Sequence, residues 1–208
     1  MLMVRALGMG GTERQAAEIA KFLDRGKFAP HVACFHEGFR AAELRQAGVP
    51  ILCLPVRSFL SPGAVAAGWR LGRYMRRERI RLVHTFDYPL NCFGVPVARA
   101  FRIPVVLSSQ RADRALNPPG FRRLLRLTDR MVDGIVVNPG AWTHYAWAIH
   151  DALELLDIPV VEVHLSNVDE REEWRKMSVL SDVAAARFVG HGPDGYRMAL
   201  DYLKENAP

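Results

Sequence analysis

Mostly apolar runs of four to eight residues recur along the chain, and each is separated from the next by an amphipathic stretch with helical spacing. The runs are 3–6, HVACF (31–35), PILCL (50–54), IRLVHTF (80–86), IPVVLSS (103–109), GIVVN (134–138), PVVEVHL (159–165) and VAAARFVG (183–190). Strands that are apolar at every position are buried on both faces, which is the condition of a parallel sheet. The stretches between them predict a helix through Ala16, Ala17, Ile19, Ala20 and Leu23, and helices near 39–47, 63–79, 90–101, 119–131, 142–155, 170–177 and 194–205. The expected fold class is therefore α/β: a doubly wound, mainly parallel sheet of about eight strands with helices on both faces, a flavodoxin- or Rossmann-like three-layer sandwich. Right-handed crossovers follow as the default.

A length of 208 residues, half of them hydrophobic, suffices for a real core. The composition excludes collagen, low-complexity disorder and a disulfide scaffold. No apolar run approaches the roughly 18–20 residues that span a bilayer, and the first residues do not read as a secretory signal. Cys34, Cys53 and Cys92 are odd in number and set among apolar residues, so they are expected to be buried thiols in a reducing compartment. A cytoplasmic location is the resulting expectation.

The net charge of +6 hides an asymmetry. Residues 1–133 carry 22 Lys+Arg against 10 Asp+Glu, and residues 134–208 carry 6 against 12. Arginines in RLGRYMRRERIRLV and FRRLLRLTDRM alternate with apolar residues, the pattern of amphipathic helices with solvated faces. Aromatic stacking platforms are not evident, so no nucleic-acid partner is expected.

Gly8, Gly10 and Gly11 stand between the first strand and the first helix, where backbone N–H groups form a natural anion site and Thr12 is placed to cap the helix. The blocks LGMGGTERQAAEIAKFL and VARAFRIPVVLSSQRADR resemble the N-terminal, acceptor-side domain of retaining glycosyltransferases with the B-type two-domain fold, over about residues 6–133. The resemblance implies that His84 lies near an acceptor. It also implies a second domain that grips the sugar nucleotide, and nothing after Gly134 looks like one.

In the last third, GIVVN places Asn138 at a strand end, and Thr143 and His144 are expected to open the next helix. EVHLS places His164 and Ser166 at another strand end, and Arg175 follows in a polar segment. Two His, one Asn, one Ser and one Arg at adjacent strand ends suit a small anionic polyol. The blocks NPGAWTH, EVHLSN and REEWRKMS, in this order within residues 133–203, resemble the C-terminal half of type II 3-dehydroquinate dehydratase. The resemblance implies that His164 is the catalytic proton donor. It implies that Asn138, His144, Asp151, Leu165, Ser166 and Arg175 bind substrate, that neither metal nor cofactor is used, and that a homo-oligomer forms. It also implies a catalytic Tyr on the loop after the first strand, with a nearby Arg. That loop here is RALGMGGTERQ, and the chain's first tyrosine is Tyr74.

The expected organisation is a glycosyltransferase-like segment, 1–133, and a dehydratase-like segment, 134–208, sharing one continuous sheet. The expected activity is a dehydratase-like lyase impaired by the missing Tyr loop. The alternatives are an acceptor-binding glycosyltransferase-like protein and a recombined fold with an orphan anion pocket. The loop 108–120 offers Arg111, Arg114 and Asn117 for an anion and Asp113 as a substitute base.

Overall fold

The computed structural model describes residues 1–109, 119–154 and 156–206. Eight strands alternate with eight helices among them, and the described pairings are parallel, giving the three-layer α/β architecture expected. The chain divides into two compact units, Met1–Val132 and Asp133–Pro208.

The first unit contains β1 (Leu2–Ala6), α1 (Gly11–Phe22), β2 (Val32–His36), α2 (Arg40–Gln46), β3 (Ile51–Cys53), α3 (Pro62–Arg77), β4 (Leu82–Phe86), α4 (Asp87–Ala100), β5 (Val105–Ser109) and α5 (Pro119–Thr128). Its strand order is β3-β2-β1-β4-β5. β1 is central, and Met3 and Val4 are fully buried, as a strand covered on both faces requires. α3 shows how the sequence sets a helix. Ser61 caps it by accepting from the Ala64 N–H at 3.3 Å, and Pro62 follows in the first turn. Ala64, Ala67, Gly68, Leu71, Gly72 and Met75 then form its buried stripe.

Two local expectations change. The first residue of α1 is Gly11, its cap is Gly10, and Thr12 makes no capping bond. The Glu13 carboxylate lies against Gly10 where a Cβ would stand, so the chain's own anion faces this helix N-terminus. α4 begins three residues earlier than its apolar period indicates, because Asp87 takes a left-handed conformation (φ 62°) that turns β4 directly into the helix.

His84 is fully buried inside β4. Its Nε2 lies 2.7 Å from Ser109 Oγ and its ring packs on Phe86 at 4.3 Å. Nδ1 is buried without a partner. Burial pushes the imidazole down to about 3. A histidine held neutral in the fold stabilises it above the free value of about 6.5, and this contribution is lost as pH falls from there towards 3. Acid titration of stability should therefore show a loss on the order of a few kcal/mol over this range, which His84→Gln flattens. An unchanged profile in His84→Gln would refute the assignment. Cys34 and Cys92 are buried thiols, each pushed up to about 12 by desolvation, and Cys53 is half-buried.

The second unit contains β6 (Gly134–Val137), α6 (Trp147–Glu154), β7 (Val160–His164), α7 (Glu173–Lys176), β8 (Ala186–Val189) and α8 (Asp194–Asn206), with β7 between β6 and β8. The helix expected over 142–155 is broken. Gly140–His144 forms a 3-10 turn, Tyr145 leaves the helical conformation (φ −154°, ψ −5°), and α6 starts only at Trp147. Thr143 and His144 thus sit in the turn before α6, not in its first turn. No helix among the described residues is long and apolar enough to cross a membrane.

Candidate functional site

β7 reads VVEVH, and all five residues are buried. The period of two puts Glu162 and His164 on one face, between the valines of the other. Glu162 has no exposed surface, and His164 Nε2 lies 2.7 Å from its Oε1. The same carboxylate accepts from the Thr143 hydroxyl, and from Ser178 Oγ at 2.9 Å to Oε2. Arg187, its register partner on β8, brings Nε to 3.5 Å from Oε2 while Nη1 holds Asp169 at 3.0 and 3.1 Å. Burial pushes the Glu162 carboxyl up, but the bonds from His164, Thr143 and Ser178 outweigh it and hold the group below the usual range. The result is a buried, ionised carboxylate that fixes one ring nitrogen of a histidine at a strand's carboxyl end.

His144 joins this cluster through the segment 174–178. Its Nδ1 lies 2.8 Å from the Met177 carbonyl, and its ring meets Trp174 edge-on at 5.5 Å. Arg175 stacks its guanidinium over the Trp174 ring, 4.7 Å from the centroid. Its Nε is 3.2 Å from Glu172 Oε2 but out of line for a hydrogen bond. His144 and Arg175 thus share Trp174, whereas His164 is held by Glu162, whose other partners Thr143 and Ser178 are the chain neighbours of His144 and Met177.

The other expected contacts lie in separate surroundings. Asn138 donates to Tyr196 Oη at 2.7 Å. Ser166 is exposed and accepts from Arg171, and Leu165 is 47% exposed, because β7 ends at His164 and strand alternation does not reach them. Asp151 is exposed on α6 and pairs with His150 at 3.2 Å. Asp151 and Asp182 hold His150 above its ordinary value. His150, Asp151 and Glu154 place ligand-type atoms within 4.8 Å of one another, but both His150 nitrogens already face carboxylates. Arg111, Asp113, Arg114 and Asn117 lie outside the described residues.

Glu162, Thr143 and Ser178 are the members that sequence reasoning missed. A glutamate flanked by valines reads as a lapse in an apolar run. The available signal was its spacing, two residues before His164 and so on the same face.

An α/β fold whose strand ends carry a buried acid–histidine pair belongs to a broad class of ligand-binding and enzymatic folds, and comparison narrows it. Residues 10–146, more than half of the chain, match the family model of the glycosyl transferase 4-like domain, and the chain belongs to that family. Residues 123–204 match the model of dehydroquinase class II, so the two matches overlap around β6. The 3-dehydroquinate dehydratase of Caldicellulosiruptor saccharolyticus is 47% identical over 83 residues, 40% of this chain and 57% of the relative. That of Thermotoga petrophila is 52% identical over 73 residues, 35% of this chain and 51% of the relative. The chain spans about half the length of these curated relatives. Among solved structures, Anabaena Alr3699/HepE in complex with UDP and glucose gives a TM-score of 0.52 at 12% identity, covering 91% of this chain and 68% of that one. MurG of Acinetobacter baumannii gives 0.50 at 14%, covering 94% and 70%. These two likenesses concern the fold alone. The chain thus carries a dehydroquinase II-like C-terminal region behind a glycosyltransferase-like N-terminal region.

Proposed function

We propose that the second unit carries the proton-donor half of a 3-dehydroquinate dehydratase site and acts on a small anionic polyol. The observation that carries this reading is the buried Glu162–His164 pair at the end of β7. In the dehydration, a base removes the proton beside the ketone and an enolate forms. The enolate then expels the hydroxyl, which takes a proton and leaves as water, and a C=C bond remains. With Nε2–H held by Glu162, Nδ1 of His164 is the nitrogen that hands over the mobile proton. Arg175 supplies a planar cation for the substrate carboxylate, and His144 packs on the same Trp174 ring. Asn138, Asp151, Leu165 and Ser166 remain proposed substrate contacts.

The test is formation of 3-dehydroshikimate from 3-dehydroquinate, followed by ultraviolet absorbance, with His164→Ala as comparison. Product formation that His164→Ala abolishes supports the reading, and equal rates in both proteins refute it.

The glycosyltransferase 4-like match supports a second reading, an acceptor-binding role for the first unit. The Glu13 carboxylate at Gly10 argues against a phosphate at that turn.

The two segments are also proposed to fold as one cooperative unit through a shared sheet. A piece of only 75 residues with three strands is marginal by itself. Residues 134–208 expressed alone should lack a cooperative thermal transition, and a sharp transition in that fragment would refute the proposal.

A further inference from the structure

At the amino end of the strands in the first unit, the segments leading into β4 and β5 enclose a cleft of about 370 Å³. Ile80 and Phe101 are among its walls, and four arginines line it: Arg76, Arg79, Arg81 and Arg102. All four are exposed. Among the described residues none of their side chains meets a carboxylate, and the adjacent Glu78 is paired with Arg77 at 2.8 Å.

The local backbone brings these charges together in a repeated way. α3 and α4 end in the same motif. Ile80 N–H bonds Met75 O at 2.8 Å and Arg79 N–H bonds Arg76 O at 3.2 Å. Ile103 N–H bonds Ala98 O and Arg102 N–H bonds Arg99 O, both at 3.0 Å. The left-handed residue of each motif is an arginine, Arg79 at φ 52° and Arg102 at φ 56°, at a position that favours glycine. Helix C-termini attract cations, but each offers only about half a negative charge. Two such ends leave most of the charge of four guanidiniums uncompensated.

We propose that this arginine-lined cleft is a binding site for a phosphate-bearing anion, separate from the strand ends that carry His164. Guanidinium forks match phosphate oxygens in geometry and keep their charge at any physiological pH. A concave site collects several of them around one ligand, which scattered surface arginines do not do.

The test is calorimetric titration of the full chain with inorganic pyrophosphate at physiological salt. Arg79→Gly/Arg102→Gly removes two charges while placing glycine where the backbone favours it, so the fold is retained. Arg57→Ala/Arg70→Ala removes the same charge outside the cleft. Pyrophosphate binding should weaken at least tenfold in the first pair and less than twofold in the second. Flotation with phosphatidylglycerol or phosphatidylcholine vesicles identifies the source. Binding to phosphatidylglycerol vesicles that the glycine pair abolishes assigns a lipid headgroup, and pyrophosphate binding without vesicle binding assigns a soluble phosphate. Binding of neither probe, or equal weakening in both variant pairs, overturns the proposal.

Discussion

Glu162→Ala is expected to destabilise the second unit by about 3–5 kcal/mol, the cost typical of removing one member of a buried charged pair. The carboxylate is the common acceptor for Thr143, Ser178 and His164, with Arg187 Nε at 3.5 Å. Truncation leaves the imidazole without its acceptor and the Thr143 and Ser178 hydroxyls with only their 2.8 Å bond to each other, and each lost partner carries a desolvation penalty of about 1–3 kcal/mol. It also opens a void at the middle strand of β6-β7-β8. Glu162→Gln should cost less, since the amide keeps an acceptor oxygen while its NH₂ must face a donor. Urea denaturation followed by fluorescence reads this directly, because Trp142, Trp147 and Trp174 all lie in this unit. The pH dependence has a definite sign. The folded carboxyl is held below its ordinary value, so its contribution is present above that value and disappears as pH falls through the folded one. Glu162→Ala should remove that part of the acid sensitivity. A variant within about 1 kcal/mol of the parent would show that the network contributes little.

The alternation of strands and helices was legible because fully buried strands write themselves as unbroken Val/Ile runs. Helix boundaries were less so. The apolar spacing of GAWTHYAWAI continues through Tyr145 although the helical backbone does not, since a side-chain period is blind to one non-helical residue. Asp87 shows the reverse: its left-handed turn admits a helix before the apolar period starts. At the site, His164 was legible from its place at a strand end. Its partner was not, because the physical meaning of Glu162 depends on Thr143 and Ser178, which are distant in sequence and converge only in the fold. Arg79 and Arg102 posed a similar difficulty. The charge asymmetry announced a basic first segment, yet the spacing read Arg79, with its neighbours in RLGRYMRRERIRLV, as part of a solvated helix face, and Arg102 lay outside the stretches so read. That both close neighbouring helices in left-handed backbone is a fact of tertiary structure.

Turnover of 3-dehydroquinate is expected to be at least ~10²-fold below that of an intact enzyme, from the base term alone. His164 is the proposed proton donor, but dehydration begins with removal of a carbon-bound proton, and the first βα loop RALGMGGTERQ has no tyrosine for that step. In the second unit, Tyr196 already accepts a hydrogen bond from Asn138, and Tyr145 is 58% exposed. Asp113 is the substitute base proposed from the sequence. A carboxylate in water, with a pKa of about 4, is a weak base towards a ketone's α-proton. His164→Ala should reduce the residual rate by a further 10²–10⁴, roughly the range of a positioned acid. Asp113→Asn should lower it as well if that carboxylate is the base. Steady-state absorbance at saturating substrate separates the cases, with tyrosine variants Tyr145→Phe and Tyr196→Phe as controls. A rate on the order of 1 s⁻¹ or more, lost in His164→Ala but unaffected by Asp113→Asn, would overturn this reading. The loss of such a rate in Tyr145→Phe would then place the base beside His144, within the second unit itself.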